Sequence, residues 1–324
     1  MESIKLADTG RVTSRLGYGC STLMGATGRQ ESLALLEHAF DSGIRHFDVA
    51  PMYGFGSAEG CLGEFVSRHR SDVTITTKYG IPPARNQSLV RLARRIVGPV
   101  LKVIPGFKKR LARAARTVAR PVEAKSNFTV ADAATSLEHS LAELKRDRID
   151  IWLLHEAEVS DLSNPDLLRY MQDAVSAGKI GTFGVGSNSD KIPALLSERP
   201  LYCPVLQFEW SALDRKIEPL PAFTIHHRAL TEEFHSLYSL FTKVPDRCRR
   251  WSISTDKDLG DIRTFAGLML KISLTLNPNS IILFSSRDAA HITENVRVSN
   301  DASLIEPALR LYSLIQNEGF LQNS

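Results

Sequence analysis

Short hydrophobic runs alternate with segments of helical periodicity along almost the whole chain. The runs have the length and the residue types of buried strands, and the segments between them place apolar residues every three or four positions. This alternation predicts a parallel sheet covered by helices, and eight strands in one domain favour a closed (β/α)8 TIM barrel over a doubly wound sheet. The residues before the first strand predict an N-terminal β-hairpin. The predicted barrel strands are a run that ends near Gly19 and the runs 45–50, 73–78, 148–155, 180–186, 205–210, 223–230 and 280–286.

Capping signals mark the ends of several predicted helices. Gly43 is a natural stop for a helix over 31–43. Thr129 and Asp132 resemble a capping box with Asp in place of Glu, and they predict a helix that runs to about Lys145. Two further helices are predicted at about 57–68 and, with proline in the first position, at 165–178.

Two segments break the alternation of strands and helices. Residues 81–128 form a long arginine-rich amphipathic insertion after the third strand. The gap between the strands 205–210 and 223–230 is too short for a full helix and two loops, and it contains Pro219 and Pro221. We therefore expect the sixth helix of the barrel to be shortened or absent.

Composition narrows the class of protein. The 324 residues, of which 43% are hydrophobic, suit one large barrel domain over 1–324. There is no apolar run long enough for a membrane span and no pattern of a signal peptide. The four cysteines are scattered without metal-ligand spacing, which favours free thiols in a reducing compartment. These features predict a cytoplasmic protein without an integral membrane segment.

The charge of the chain is concentrated in the insertion. The net charge is +4, yet the residues from Arg85 to Lys125 carry 12 Lys and Arg against one acidic residue, so the remainder is net negative. Such a segment forms a solvated lid, or it attracts an anionic substrate or the acidic surface of a partner or membrane. Nucleic acid is disfavoured as a partner because the stretch has a single aromatic residue and no recognisable binding module.

Four polar residues lie at or just after the ends of three successive predicted strands: Asp48, Tyr53, Lys78 and His155. The carboxyl ends of barrel strands converge on one face, so these side chains can form one proton-transfer site. Reduction of a carbonyl by hydride transfer leaves negative charge on oxygen, which an acid must neutralise. Tyr53 can supply the proton if the cation of Lys78 lowers its pKa, with Asp48 holding Lys78 and His155 orienting the carbonyl. Singly, each residue has an ordinary structural explanation; together they predict catalysis.

The chain resembles the aldo-keto reductases, which are NAD(P)H-dependent oxidoreductases on a (β/α)8 barrel. The resemblance covers nearly the whole length and implies the same four catalytic residues, with Tyr53 as the general acid/base. It also implies that the product and substrate are a small-molecule alcohol and carbonyl compound. The segments that carry it, in order, are RHFDVAPMYGFGSAEG (45–60), VTITTKYG (73–80), RIDIWLLH (148–155), SAGKIGTFGVGSN (176–188) and ILFSSRDAAHITENV (282–296).

The same resemblance implies a site for NADP(H), with NAD(H) as the alternative. The implied contacts include backbone at the first strand end, a ribose contact at Asp48, an amide-binding pair, a ring against the nicotinamide, and a turn with an arginine for the 2′-phosphate. The chain departs from the family pattern at three places. Gly186-Ser187-Asn188 replaces the S-N pair, so that either Ser187 or Asn188 takes the amide-binding role. His227-Arg228 stands where many members have Tyr-Ser, and Ser285-Ser286 replaces the usual glycine and small residue. The implied cofactor residues are Gly19, Cys20, Ser21, Asp48, Ser187, Asn188, Gln207, His227, Ser285, Ser286, Arg287, Glu294 and Asn295.

Three interpretations remain distinct at this point. The first is an oxidoreductase that interconverts a carbonyl and an alcohol. The second is a nucleotide-binding regulatory or interaction protein on the same fold, with the basic insertion as its docking surface. The third, a metal-dependent hydrolase or isomerase that uses Asp48 and His155, is weakened by the lack of a ligand cluster in the sequence. The sequence does not specify the substrate, the direction of reaction or the oligomeric state.

Overall fold

Eight parallel strands close into a barrel in the computed structural model of the chain. Their order around the barrel follows their order in the sequence, from β3 to β10, and β10 pairs with β3 to close it. The strands are β3 (Leu16–Gly19), β4 (His46–Asp48), β5 (Thr74–Tyr79), β6 (Ile149–His155), β7 (Ile180–Gly186), β8 (Val205–Glu209), β9 (Phe223–His227) and β10 (Ser280–Phe284). The structure describes residues 1–25, 27–69, 72–82, 128–215, 218–230 and 234–318.

The predicted barrel and its N-terminal hairpin are confirmed. The hairpin pairs β1 (Ser3–Lys5) with β2 (Val12–Ser14) in antiparallel register. It lies at the N-terminal end of the barrel, because Thr13 hydrogen-bonds Thr74 at the start of β5 and Leu6 packs into the barrel interior. The opposite end, where the strands terminate, is therefore the open one.

Helices cover the outside of the barrel. α1 begins two residues before the predicted start, and α3 begins after the N-cap Thr129, whose hydroxyl accepts a hydrogen bond from the backbone of Asp132. The helices are α1 (Arg29–Asp41), α2 (Ala58–Val66), α3 (Val130–Leu144), α4 (Pro165–Ser176), α5 (Ile192–Glu198), α6 (Phe234–Thr242), α7 (Pro245–Thr255), α8 (Ile262–Leu276), α9 (Ala289–Asn300) and α10 (Ile305–Glu318).

The connection between β8 and β9 agrees with the expectation of a reduced sixth helix. Its described residues, 210–215 and 218–222, contain no helix. The predicted strand over 223–230 ends early, at His227, because Arg228 adopts a left-handed backbone conformation with φ of 60°. Nearly all of the basic insertion, from residue 83 to residue 127, lies outside the described residues. Within the described ranges, none of the helices combines the length and the hydrophobicity that a membrane crossing requires.

The barrel interior is filled in layers. Apolar side chains from alternate strands, among them Ile151, Val205 and Ile281, form one buried cluster above the hairpin. Beside them His46 is fully buried and hydrogen-bonds Thr74 and Thr76 of the neighbouring strand through its two ring nitrogens. Above this layer the side chains become polar, and the candidate site begins there.

A close helix contact supports this side of the barrel. Gly63 on α2 faces the end of α3, where a Cβ atom on it would lie 2.1 Å from the backbone oxygen of Glu143. Only a residue without a side chain allows the two helices to approach this closely. On its other side α2 packs against β4, where the rings of Phe65 and Phe47 lie 5.2 Å apart.

We predict that Gly63→Ala lowers the free energy of unfolding by about 1–3 kcal/mol, because the added methyl group meets backbone that cannot move aside cheaply. Thermal and urea denaturation measure the change. Gly25→Ala is the matched control, since the nearest atom to a Cβ there lies 3.8 Å away. Equal stability of the two variants would contradict the predicted contact.

We also predict a dependence of stability on pH that arises from His46. Burial lowers the pKa of His46 to about 4, so the folded protein keeps it neutral where the unfolded chain, with a pKa of about 6.5, binds a proton. Stability from this residue is complete above pH 6.5 and falls by up to about 1.4 kcal/mol per pH unit as the pH drops toward 4. His46→Gln should therefore make the free energy of unfolding change less between pH 7 and pH 4.5. An unchanged pH dependence in that variant would contradict this assignment.

Candidate active site

The four strand-end residues meet at the open end of the barrel. Asp48 ends β4, Lys78 lies one residue before the end of β5, and His155 ends β6. Asp48 lies on the same strand face as His46, which points into the barrel, because side chains alternate along a strand. Tyr53 lies in the 3₁₀ turn that follows β4, so that three adjacent strands supply one cluster.

The turn that carries Tyr53 depends on a glycine. Gly54 has a φ of 59°, and a Cβ atom on it would lie 2.6 Å from the backbone oxygen of Leu23. A residue with a side chain would clash there and would move the turn. This position therefore fixes where the phenol of Tyr53 stands relative to Lys78.

A buried ion pair forms the base of the site. The Lys78 Nζ donates to Asp48 Oδ1 at 2.6 Å and to the backbone oxygen of Val49 at 3.1 Å. Gln207, in the middle of β8 rather than at its end, donates its Nε2 to the other oxygen, Asp48 Oδ2, at 2.7 Å. All three side chains are buried, so both oxygens of the carboxylate are satisfied without water.

Lys78 remains a cation in this environment. Burial alone would lower the pKa of its amine, but Asp48 and Tyr53 outweigh that effect and raise the pKa above its usual value. Its Nζ lies 5.2 Å from the centre of the Tyr53 ring. The positive charge is therefore held directly beside the phenol.

The pKa of Tyr53 differs from the simple expectation. Lys78 does lower it, as expected, but burial has a larger effect and raises the pKa above its ordinary value, and Asp48 adds to that increase. Tyr53 is therefore protonated at neutral pH in this state of the protein. A protonated phenol beside a fixed cation is a proton donor whose conjugate base is stabilised at the moment it forms.

His155 is a neutral imidazole. Its ring lies 6.4 Å from the Tyr53 ring, centre to centre, and is nearly perpendicular to it. Burial, together with the nearby Lys78 and His227, lowers the pKa of His155 to about 3. Its Nδ1 is buried without a hydrogen-bond partner among the described residues. A neutral imidazole retains one N–H to donate to a carbonyl oxygen.

A cavity of about 540 Å³ opens above these residues. All four predicted catalytic residues line it, and so do most of the predicted cofactor residues. The predicted cofactor residues among its walls are Gly19, Ser21, Asp48, Ser187, Asn188, Gln207, His227, Ser285 and Asn295. Glu156 directly follows His155 and could have been found by that position. The lining residues that sequence reasoning missed are Met52, Glu156, Ala229, Leu230, Leu270, Leu283 and Phe284.

Four predicted cofactor residues lie outside the walls of this cavity. Cys20, in the 3₁₀ turn directly after β3, is fully buried and packs in the core. Glu294 is held by Arg297 on the same helix through two hydrogen bonds of 2.9 and 2.7 Å. Ser286 hydrogen-bonds Asp288, and Arg287 is exposed in the loop between β10 and α9. Ser286 and Arg287 therefore lie at the edge of the cavity rather than in its wall.

The two adjacent histidines of β9 have different surroundings. His227 lines the cavity, and burial lowers its pKa to about 4. His226 points to the other side of the strand and packs edge-on against Phe208, with ring centres 4.6 Å apart. Strand alternation thus separates a residue of the site from a residue of the outer core.

The described residues contain no group of three or more His, Cys, Asp or Glu side chains arranged to hold a metal ion. The carboxylate of Asp48 is instead committed to Lys78 and Gln207. The chemistry that this arrangement supports is transfer of a proton to an oxygen atom placed between Tyr53 and His155.

Comparison with known proteins finds similarity to aldo-keto reductases and to a sugar dehydrogenase. At 28% identity over 225 residues, the chain is similar to the aldo-keto reductase YhdN of Bacillus subtilis, covering 67% of this chain and 56% of that protein. It is 29% identical over 225 residues to a D-threo-aldose 1-dehydrogenase of a Pseudomonas species, covering 67% and 64%. The chain thus spans less than two thirds of the length of these curated relatives.

A solved structure and a family model extend the comparison. An aldo-keto reductase from Klebsiella pneumoniae, determined in complex with NADPH, superposes with a TM-score of 0.61 over 96% of both chains at 18% identity, which shows a common fold. The model of the Aldo/keto reductase family matches residues 15–227, from the first barrel strand to the end of the seventh. The chain therefore belongs to the aldo/keto reductase family of oxidoreductases.

Proposed function

We propose that the protein interconverts a carbonyl compound and an alcohol by hydride transfer with NADP(H), and that Tyr53 is the general acid/base. The observation that carries this proposal is the buried Lys78–Asp48 ion pair beneath Tyr53, at the floor of a cavity that His155 also lines. A cation held beside a protonated phenol has a clear use in proton transfer to a developing alkoxide.

The residues around the cavity suit a nicotinamide cofactor. Because Gln207 Nε2 is bound to Asp48, its amide oxygen is left as an acceptor for the carboxamide N–H of a nicotinamide. Asn188 lies exposed at the end of the same wall, and the described structure gives its side chain no hydrogen bond. Ser187 donates its hydroxyl to Ala157 and retains its accepting lone pairs. Together these groups would hold the carboxamide.

The far side of the cavity would hold the rest of the dinucleotide. Ser285 donates to the backbone oxygen of Gly19 and so joins the ends of β10 and β3. Arg287 follows it, just before the N-terminus of α9, which favours anions. We assign Arg287 to the 2′-phosphate and Asn295 to the adenine end, and this assignment favours NADP(H) over NAD(H).

The proton steps follow from the charges. When bound, NADPH supplies the hydride to the carbonyl carbon. His155 donates a hydrogen bond to the carbonyl oxygen and orients it, and Tyr53 donates its proton to that oxygen. Lys78 stabilises the phenolate that results, while Asp48 and Val49 hold Lys78 in place. Acid catalysis of this kind contributes a factor of about 10² to 10⁴ in rate.

The reverse reaction uses the same groups with opposite proton flow. Tyr53 must then be ionised to accept the proton of the alcohol, and its raised pKa places that state at high pH. Carbonyl reduction is therefore the direction that the electrostatics favour near neutral pH. For the substrate, we propose a small aldehyde, ketone or sugar.

We predict that Tyr53→Phe reduces kcat for aldehydes by about 10²- to 10⁴-fold, because the proton donor is removed while the ion pair is kept. Lys78→Met should abolish turnover as well and should also lower the Tm, because it leaves Asp48 as a buried carboxylate without its cation. Steady-state kinetics with NADPH give the rates. Fluorescence titration should show nearly unchanged NADPH binding in both variants.

Two experimental results would contradict this mechanism. If purified protein binds NADPH but turns over no aldehyde, ketone or sugar faster than the Tyr53→Phe variant, the enzymatic function is wrong. A regulatory protein that binds NADP(H) on the same fold would then be the better description. Unchanged turnover in Lys78→Met would remove Lys78 from the mechanism.

We predict that Arg287→Ala weakens binding of NADPH about tenfold or more, because a hydrogen bond to a charged group contributes about 1.5–3 kcal/mol. Binding of NADH, which lacks the 2′-phosphate, should change far less. Equilibrium titration of both cofactors gives the ratio. Arg169→Ala, on the exposed surface of α4, is the control and should change neither. Equal losses for the two cofactors in Arg287→Ala would show that Arg287 does not recognise the phosphate.

A further inference from the structure

Glu156 places a carboxylate in the wall of the catalytic cavity, directly after His155. Its side chain is exposed, and in the described part of the chain it has no hydrogen bond or ion pair. The other carboxylate of the cavity, Asp48, is buried and bound to Lys78 and Gln207. Glu156 is therefore the carboxylate that a molecule entering the cavity would meet.

The backbone holds Glu156 in a defined place. Its N–H donates to the backbone oxygen of Gly186 at 2.6 Å, which extends the pairing of β6 and β7 by one residue. On the other side, Ser187 donates its hydroxyl to the backbone oxygen of Ala157 at 3.0 Å. Between these two bonds Glu156 has a φ of 54°, in the left-handed region that residues with side chains seldom adopt. Strained conformations of this kind persist where neighbouring contacts fix them, and they concentrate at functional sites.

The cavity has two sides of different character. Glu156, His155 and Tyr53 lie on the side formed by β4 to β6, where the carbonyl would react. Arg228 also lines the cavity, but it follows β9, three strands away from β6, next to the side assigned to the dinucleotide. On the substrate side the charges of Lys78 and Asp48 cancel, so Glu156 leaves a net negative charge there, whereas Arg228 places a positive charge beside the side proposed for the phosphates.

We infer that Glu156 determines substrate specificity by accepting a hydrogen bond from a donor group close to the reacting carbonyl. The substrates favoured are carbonyl compounds that carry hydroxyl or ammonium groups near that carbon, since an ionised carboxylate can only accept hydrogen bonds. Anionic substrates are disfavoured by repulsion between like charges. This inference rests on the proposed function, and it opposes the expectation that the basic segment selects for an anionic substrate.

Four small aldehydes test this specificity in the complete protein with NADPH. Propanal lacks a second polar group, glyceraldehyde carries hydroxyls, aminoacetaldehyde carries an ammonium group, and succinic semialdehyde carries a carboxylate. Their kcat/KM values are compared in the wild type, in Glu156→Gln and in Glu156→Lys. Glu198→Gln, a substitution of an exposed glutamate at the end of α5, is the matched control. Thermal denaturation checks that each variant is folded.

The wild type should prefer glyceraldehyde and aminoacetaldehyde over propanal, and should use succinic semialdehyde least. Glu156→Gln should reduce the preference for aminoacetaldehyde over propanal about tenfold, which corresponds to loss of a hydrogen bond to a charged group. The loss for glyceraldehyde should be smaller. Glu156→Lys should reverse the order of the cationic and anionic aldehydes, and Glu198→Gln should leave all the ratios unchanged.

Two failures are distinguishable. If the wild type turns over these aldehydes and the ratios in Glu156→Gln and Glu156→Lys equal those of the wild type, the role of Glu156 is overturned and the proposed function stands. If the wild type turns over neither these four nor any other aldehyde, ketone or sugar above the rate of Tyr53→Phe, the proposed function is overturned, and the role of Glu156 with it.

Discussion

The proposed chemistry depends on one interaction, the ion pair between Lys78 and Asp48 inside the open end of the barrel. Removing either partner from such a buried pair commonly lowers the free energy of unfolding by about 3–5 kcal/mol, because the remaining charge is then buried with neither solvent nor a partner. The pair persists here because each charge has further partners: Val49 accepts from Lys78, and Gln207 donates to Asp48. The charge of Lys78 also lowers the pKa of Tyr53 and of His155, so the same pair both stabilises the fold and tunes the site.

Burial and the charges of this pair together set the protonation states of the neighbouring groups. Lys78 stays charged, Tyr53 stays protonated, and His155 stays neutral, each for a reason that combines burial with the charge of the pair. A second cation at His155 would compete with Lys78 for the same developing negative charge and would repel it. The neutral imidazole avoids this conflict, and it leaves Lys78 as the cation beside the phenol.

The sequence was sufficient for the barrel and for the position of the four strand-end residues, because both follow from local patterns. Strands were found from apolar runs between turn signals, and strand ends in a parallel barrel must converge. The direction of the Cys20 side chain could not be predicted, since it depends on the turn after β3. The net pKa of Tyr53 could not be predicted either, because burial is a property of the whole packed environment. The ion pair between Glu294 and Arg297, three positions apart on one helix, is a local pattern that could have been recognised in the sequence.

The hydrogen bond from Gln207 to Asp48 also links two opposite walls of the barrel. β4 and β8 lie four positions apart in a ring of eight strands, so this bond spans the full width of the barrel mouth. It joins two residues 159 positions apart in the chain, and it acts as a cross-brace between walls that share no backbone hydrogen bonds. A displacement of β8, by a change in the segments packed behind it, is thereby transmitted to the carboxylate that supports Lys78. The outer surface of one wall is in this way connected to the proposed proton donor at the opposite wall.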